Sequence, residues 1–363
     1  MKIEDIVQKE VKDLSCYEVK TILGQKSQEK IVKLNLNENF AIPNDTIQKM
    51  LLDACRSIDV RAYPPPRGSL AIKAISSFLG FSESEVSVAN GADEIMDLLM
   101  KVFVRKRSKV ITVEPSFPMY TFFTQLYGGS TVPVLFKPDF SLDVDAVLEK
   151  TDKNTKLLFI CSPNNPTGNQ FREANIKRLL QEFNGVVIVD EAYVDFAQCS
   201  VINWVRDYDN LAVLRSFSKA FGLAGLRLGY LVSNKSIVDY IQRVVGPFNV
   251  NSVTQQTIAL ALEKWSYFKE QIEYVVNERE WLMKNLQQIN GVSPYPSDTN
   301  FILFKLTKPN LTSATVTERM ENLNVLVKNR GHLLLLENCI RVTVGNRNMN
   351  EKFLAALKES LEE

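Results

Sequence analysis

Histidine is nearly absent: the 363 residues contain one, His332. Mechanisms that need two imidazoles, and histidine-rich metal sites, are thereby excluded. A Ser-His-Asp arrangement would need an activated serine beside His332. The surrounding Arg330-Gly331-His332-Leu333 reads instead as a turn carrying a surface histidine. The five cysteines (Cys16, Cys55, Cys161, Cys199, Cys339) are odd in number and nowhere form C-x-x-C. That argues against a disulfide framework or a zinc site and for free, mostly buried thiols. No apolar run approaches the ~20 residues of a membrane span. The opening stretch MKIEDIVQKEVKD is charged and lacks the hydrophobic core of a signal peptide. With 43 basic and 42 acidic residues the net charge is +1, which leaves no electrostatic footprint for nucleic acid or an anionic membrane. The one dense basic stretch, Arg105-Lys106-Arg107-Ser108-Lys109, lies between an amphipathic segment and an apolar strand and reads as a solvated helix end. Gly222, Gly225 and Gly229 do not form G-x-G-x-x-G, so a dinucleotide site is not supported. Internal repeats and low-complexity tracts are missing too. A soluble cytoplasmic protein is expected.

What is present is a globular composition, 45% apolar and 23% charged, on a chain long enough for a large α/β body and a smaller companion. Residues 69–79 carry apolar side chains at helical spacing, and Gly91-Ala92-Asp93-Glu94 opens a second helix through 95–104. Short apolar runs follow at 110–113, 157–160, 186–189 and 211–214, with another strand at 228–232 after a Gly-rich turn. Apolar on both faces, these runs predict a mainly parallel sheet covered by helices. After about residue 245 the pattern changes to helices at 254–261 and 268–288, strands at 301–304 and 340–344, and a closing helix at 350–361. The expected division is an N-terminal arm (1–35) packing on the small domain or the substrate site, a large domain (36–245) and a small α+β domain (246–363).

Ligands of parallel α/β sheets sit beyond the carboxyl ends of the strands, and the unusual residues fall there in order. Glu114-Pro115-Ser116-Phe117 follows the first of these strands. Cys161-Ser162-Pro163-Asn164-Asn165-Pro166-Thr167-Gly168 follows the second, Asp190-Glu191-Ala192-Tyr193 the third, and Arg215-Ser216-Phe217-Ser218-Lys219 the fourth. Taken singly, each has an ordinary explanation as a turn, a helix cap or a surface patch.

With Ser-Phe-Ser-Lys-Ala-Phe-Gly-Leu-Ala-Gly-Leu-Arg, Ser-Pro-Asn-Asn-Pro-Thr-Gly and Asp-Glu-Ala-Tyr, the chain resembles the fold-type I aminotransferases dependent on pyridoxal 5'-phosphate. Among them it is most like the histidinol-phosphate aminotransferases. The resemblance runs from Leu36-Asn37-Glu38-Asn39 to Ile340-Arg341-Val342-Thr343-Val344-Gly345. It implies that Lys219 holds the cofactor aldehyde and, once released, moves a proton. It places Asp190 at the pyridine nitrogen, keeping that nitrogen protonated so that the ring draws electrons. Asn165 and Tyr193 would contact the phenolic oxygen, and Phe117 would stack on the ring. The phosphate would be held by the helix-start amides of Ala92 and Asp93, by Ser216, Ser218 and Arg227, and by Tyr63 from the neighbouring subunit of a homodimer. Arg341 would bind the substrate's anionic group, with Tyr17, Asn37 and Asn165 lining the pocket.

The implied reaction is a ping-pong exchange through a pyridoxamine form, with glutamate as amino donor and a keto acid as acceptor, in histidine biosynthesis. These relatives usually carry a second arginine before the final strand. Here Lys328 stands in Val327-Lys328-Asn329-Arg330, a point charge without the guanidinium fork, and Arg330 is the alternative. The usual proline before Tyr17 is replaced by Cys16. Rival activities with the same motifs are an aminotransferase for aromatic or other amino acids and a decarboxylase resembling the threonine-phosphate decarboxylases. A cofactor-binding regulator would carry a DNA-binding domain, for which the N-terminal arm is too short.

Overall fold

In a computed structural model, residues 2–12, 14 and 31–362 are described. Thirteen strands among the described residues are numbered in chain order: β1 (Val32–Lys33), β2 (Val86–Ala89), β3 (Lys109–Glu114), β4 (Ser130–Leu135), β5 (Thr155–Cys161), β6 (Val186–Asp190), β7 (Leu211–Ser216), β8 (Gly229–Ser233), β9 (Val292–Pro294), β10 (Phe301–Leu306), β11 (Val325–Leu326), β12 (Lys328–Asn329) and β13 (Cys339–Thr343).

The main sheet has the order β2-β8-β7-β6-β5-β3-β4. Its centre is parallel, and β8 runs against both of its neighbours. The apolar strands belong in this sheet because they are covered on both faces. In β5, Leu158 and Ile160 face one core while Leu157 and Phe159 face the other, and β6 alternates in the same way through Val187, Ile188 and Val189. β4 is an edge strand, exposed at Ser130, Pro133 and Leu135, and it carries Pro133 where a missing N–H leaves no ladder bond unmade. Pairing register brings the strand ends level. Cys161 lies opposite Asp190, and Asp190 opposite Leu214, so three strands end together along one edge.

The expected helices at 69–79 and 91–104 are Ser69–Leu79 and Gly91–Phe103. Amphipathic spacing drives both: Ala71, Ile72 and Ile75 of the first are buried, as are Ile95, Leu98 and Leu99 of the second. The basic run 105–107 lies just past the second helix in an exposed turn.

The second, antiparallel sheet has the order β12-β13-β10-β9. The long helix Trp265–Gln287 and the closing helix Arg347–Glu362 pack near it. Helix Ser252–Glu263 instead packs on helices Asn44–Arg56 and Ser69–Leu79. β1 pairs in parallel with β11, which ties the segment before Leu36 to the carboxyl-terminal third of the chain. The cysteines depart from expectation. Cys161 and Cys339 are buried, but Cys55 and Cys199 are exposed, because Cys55 falls on the outer face of its helix and Cys199 in a surface loop. Cys16 lies outside the described residues. No helix among the described residues is long and apolar enough to cross a membrane, and no metal-binding cluster occurs among them.

Candidate active site

A cavity of about 350 Å³ opens where β5, β6 and β7 end. Lys219 reaches it from the turn after β7. Its Nζ donates to the Leu36 carbonyl at 3.1 Å and lies 5.8 Å from the centre of the Tyr193 ring. Burial, reinforced by the positive charge of Arg341, lowers the Lys219 amine to about 8. A neutral, nucleophilic amine is thus available above about pH 8.

Asp190 is 4% exposed at the end of β6. Tyr120 donates to its Oδ2 at 2.6 Å, and the Ala192 amide donates to its Oδ1 at 3.0 Å. Burial raises the Asp190 carboxyl to about 6, and these two hydrogen bonds moderate the rise. Tyr120 was not anticipated. It sits three residues after Phe117, packs edge-to-face against it at 5.8 Å, and stacks on Phe159 at 4.6 Å. An aromatic one helical turn behind the expected stacking residue was the available signal.

Phe117, Asn165 and Tyr193 line the same cavity. Tyr193 is buried, and its hydroxyl accepts from Asn37 Nδ2 at 2.9 Å, which leaves its own proton to donate elsewhere. Burial pushes the Tyr193 phenol up to about 12. Asn165 Oδ1 accepts from Arg341 Nη1.

One end of the cavity is built for an anion. Helix Gly91–Phe103 starts there with no side-chain cap, and Ala92 and Asp93 line the wall. Uncapped amides and the helix dipole both favour negative charge. The Asp93 carboxylate is turned to Arg227, 3.1 Å away, so its charge is neutralised while its amide stays at the helix start. Gly91 has φ +85°, and a Cβ there would come 2.5 Å from Arg227 Nη2, so glycine makes room for the guanidinium. Ser216 Oγ accepts from the Ser218 amide at 3.1 Å. Ser218 Oγ is buried with no protein partner, an orphan that an added acceptor would satisfy.

Arg341, in β13, is 3% exposed and so is no surface ion-pair residue. Its Nη2 donates to the Asn35 carbonyl at 2.8 Å, and its guanidinium lies 5.2 Å from the Phe301 ring centre. β12 places Lys328 directly opposite Arg341, and Lys328 and Arg330 both line the cavity. Asn37 is buried at φ 56°, with its amide bonded to Thr343 Oγ1 at 3.0 Å.

One expected residue lies elsewhere. Tyr63 is 80% exposed and stacks on Phe248 at 4.5 Å, outside the cavity. Tyr17 lies outside the described residues. Behind the cavity, Glu191 Oε2 accepts from Arg215 Nε at 3.0 Å and from Nη2 at 2.8 Å. Glu191 Oε1 accepts the Val201 amide at 2.7 Å. This buried pair ties the end of β6 to the end of β7.

Comparison with known proteins agrees along the chain. Residues 29–357 match the family described as aminotransferase class I and II. The histidinol-phosphate aminotransferase of Caldanaerobacter subterraneus subsp. tengcongensis is 36% identical over 361 residues, 99% of each chain. Among solved structures, histidinol-phosphate aminotransferase from Sinorhizobium meliloti, in complex with pyridoxal-5'-phosphate, superposes with a TM-score of 0.88 over 98% of each chain. Its identity of 22% carries the fold alone. L-threonine-O-3-phosphate decarboxylase from Porphyromonas gingivalis has a TM-score of 0.79 and 25% identity, covering 92% of this chain and 100% of its own.

Proposed function

The chain belongs to the class I and II aminotransferase family, and on that premise we propose that it is a pyridoxal-phosphate enzyme exchanging an amino group between L-histidinol phosphate and 2-oxoglutarate. One observation carries the reading: a neutralisable buried amine, a buried carboxylate and an anion cup with an unpartnered buried hydroxyl share one cavity. That donor set fits the cofactor. The aldehyde would go to Lys219, the ring nitrogen to Asp190, the ring face to Phe117 and the phosphate to Ser216, Ser218, Arg227 and the amides of Ala92 and Asp93.

The cofactor supplies an aldehyde that takes up the amino group and a ring that accepts electrons from the deprotonated carbon. The chain supplies the rest. Lys219, neutral above about pH 8, would take up and return the substrate Cα proton. Asp190 keeps the ring nitrogen protonated. Tyr193, whose oxygen already accepts from Asn37, would donate its own proton to the cofactor's phenolic oxygen, and Asn165, whose Oδ1 is taken by Arg341, would offer its amide N–H there. Arg341 receives the substrate's anionic group, and Lys328 and Arg330 in the same wall supply the further positive charge that a phosphate dianion needs. Asn37 and Tyr17 complete the substrate pocket.

The enzyme works as a cytoplasmic homodimer, with residues 36–245 as the large domain, 246–363 as the small one and 1–35 as an arm. The exposed Tyr63–Phe248 stack supports a tyrosine that serves the partner's site rather than its own. The deciding experiment is a half-reaction without keto acid, followed by the cofactor's visible absorption. Both L-histidinol phosphate and glutamate are expected to discharge the aldehyde form. Discharge by glutamate alone would remove histidinol phosphate as substrate. Discharge by neither would transfer the reading to a decarboxylase.

A further inference from the structure

Three carboxylates line the cavity: Glu38, Asp93 and Asp190. Two are accounted for. Asp190 is held by Tyr120 and Ala192, and Asp93 is paired with Arg227. Glu38 is different. Its Oε1 is 2.7 Å from Lys33 Nζ, while its Oε2 is buried and has no hydrogen-bond partner. A buried carboxylate oxygen has lost its hydration and gained nothing in return, so a donor arriving with a ligand would bind it strongly.

The segment that carries Glu38 is held firmly. The Asn37 amide donates to Thr343 Oγ1 at 3.0 Å, Asn300 Nδ2 donates to the Asn37 carbonyl at 3.1 Å, and Asn39 Nδ2 donates to the Ala220 carbonyl at 3.1 Å, one residue past Lys219. The segment is therefore a fixed part of the wall, and the Glu38 side chain, 24% exposed, brings its carboxylate to the cavity. The charge of Glu38 is also felt at the Lys219 amine, which it raises against the opposing effects of burial and Arg341.

From this we propose that Glu38 is a specificity-determining residue whose free oxygen accepts a hydrogen bond from a ring N–H on the substrate side chain. The inference deepens the substrate reading above and rests on it. Substrate chemistry leads to the same group by elimination. The anionic end has Arg341, Lys328 and Arg330, and the amino group is consumed at the cofactor beside Lys219. The remaining donor of an imidazole-bearing substrate is its ring N–H, and Glu38 is the one lining carboxylate with an oxygen to spare.

The test uses two amino donors of similar side-chain size, L-histidine and L-phenylalanine, which differ in ring N–H groups. For each, kcat and KM of the half-reaction are measured with the holoenzyme. The wild type is expected to favour histidine, and Glu38→Ala to reduce that preference about tenfold or more, chiefly through KM. Glu38→Gln, which keeps an acceptor oxygen without the charge, should recover part of the preference. Lys33→Gln, which removes only the outer partner, should retain it. The proposal is overturned if the wild type shows no preference for histidine, if Glu38→Ala lowers both donors in parallel, or if Lys33→Gln reproduces Glu38→Ala. A parallel fall would mean that Glu38 serves Lys219 or the wall itself. L-Histidinol phosphate is assayed beside them with the wild type. Its failure to react would overturn the substrate reading, while the histidine-to-phenylalanine ratio would still decide the role of Glu38.

Discussion

Replacing Tyr120 by phenylalanine isolates one hydrogen bond at the heart of the proposed cofactor site. The Tyr120 ring is buried between Phe117 and Phe159, and phenylalanine keeps both contacts. Only the hydroxyl that donates to Asp190 Oδ2 at 2.6 Å is lost. A hydrogen bond to a charged group contributes ~1.5–3 kcal/mol, and 1.36 kcal/mol corresponds to one pKa unit, so the loss lifts the Asp190 carboxyl from about 6 to roughly 7 or 8. The sign follows from the charge. The carboxylate is ionised above its pKa and lost as pH falls through it, so the variant loses its partner for the ring nitrogen near neutrality. Cofactor affinity should therefore fall up to about tenfold at pH 7 and approach the wild-type value by pH 9. The assay is titration of cofactor onto the apoprotein, followed by absorption, from pH 6 to 9. Comparing the two proteins at each pH cancels the titration of Lys219, which they share. A ratio of dissociation constants that stays flat across that range would show that Tyr120 only fills space, and would refute the argument.

Covalent loading of the apoprotein should accelerate with rising pH about a midpoint near 8, because the Lys219 amine becomes neutral there; a midpoint above 10 in stopped-flow absorption would contradict the assigned environment. Lys219→Ala should abolish turnover and leave no cofactor attached after borohydride reduction, and near-normal activity would sink the whole assignment. Arg341→Ala should raise KM for the substrate at least about tenfold while cofactor content stays full, and loss of cofactor instead would mean that the role is wrong. Glu191→Ala strands the buried Arg215 guanidinium and should cost about 3–5 kcal/mol of stability; an unchanged thermal midpoint would show that the pair ties nothing together.

Local pattern was enough to place the elements that carry the site. Strands buried on both faces announce themselves as apolar runs, and β5, β6 and β7 extend only one to three residues beyond the runs at 157–160, 186–189 and 211–214. Because ligands collect beyond the carboxyl ends of such strands, the stretches holding Asn165, Asp190 and Lys219 stood out by their order along the chain, the family resemblance singled out these residues, and the cavity brings them together. Edge strand β4 left no such trace, since a mostly exposed run with a proline resembles a loop when read locally. Tyr120 was hidden because its importance lies in one atom meeting a carboxylate 70 residues away.

The sequence by itself determined five strands of the main sheet, the family motifs, and the lysine and carboxylate proposed to hold the cofactor, because these depend on short periodicities and on residue types with few chemical substitutes. Only the tertiary structure decided that Arg341 would lie buried against Asn165 across 176 positions, that Lys219 would rest on the Leu36 carbonyl across 183, and that Glu38 would be left with an oxygen to spare. Those facts are set by strand register and by the packing of the arm-side segment on the strands near the carboxyl terminus. A shift of one residue in either would turn the same side chains away from the cavity.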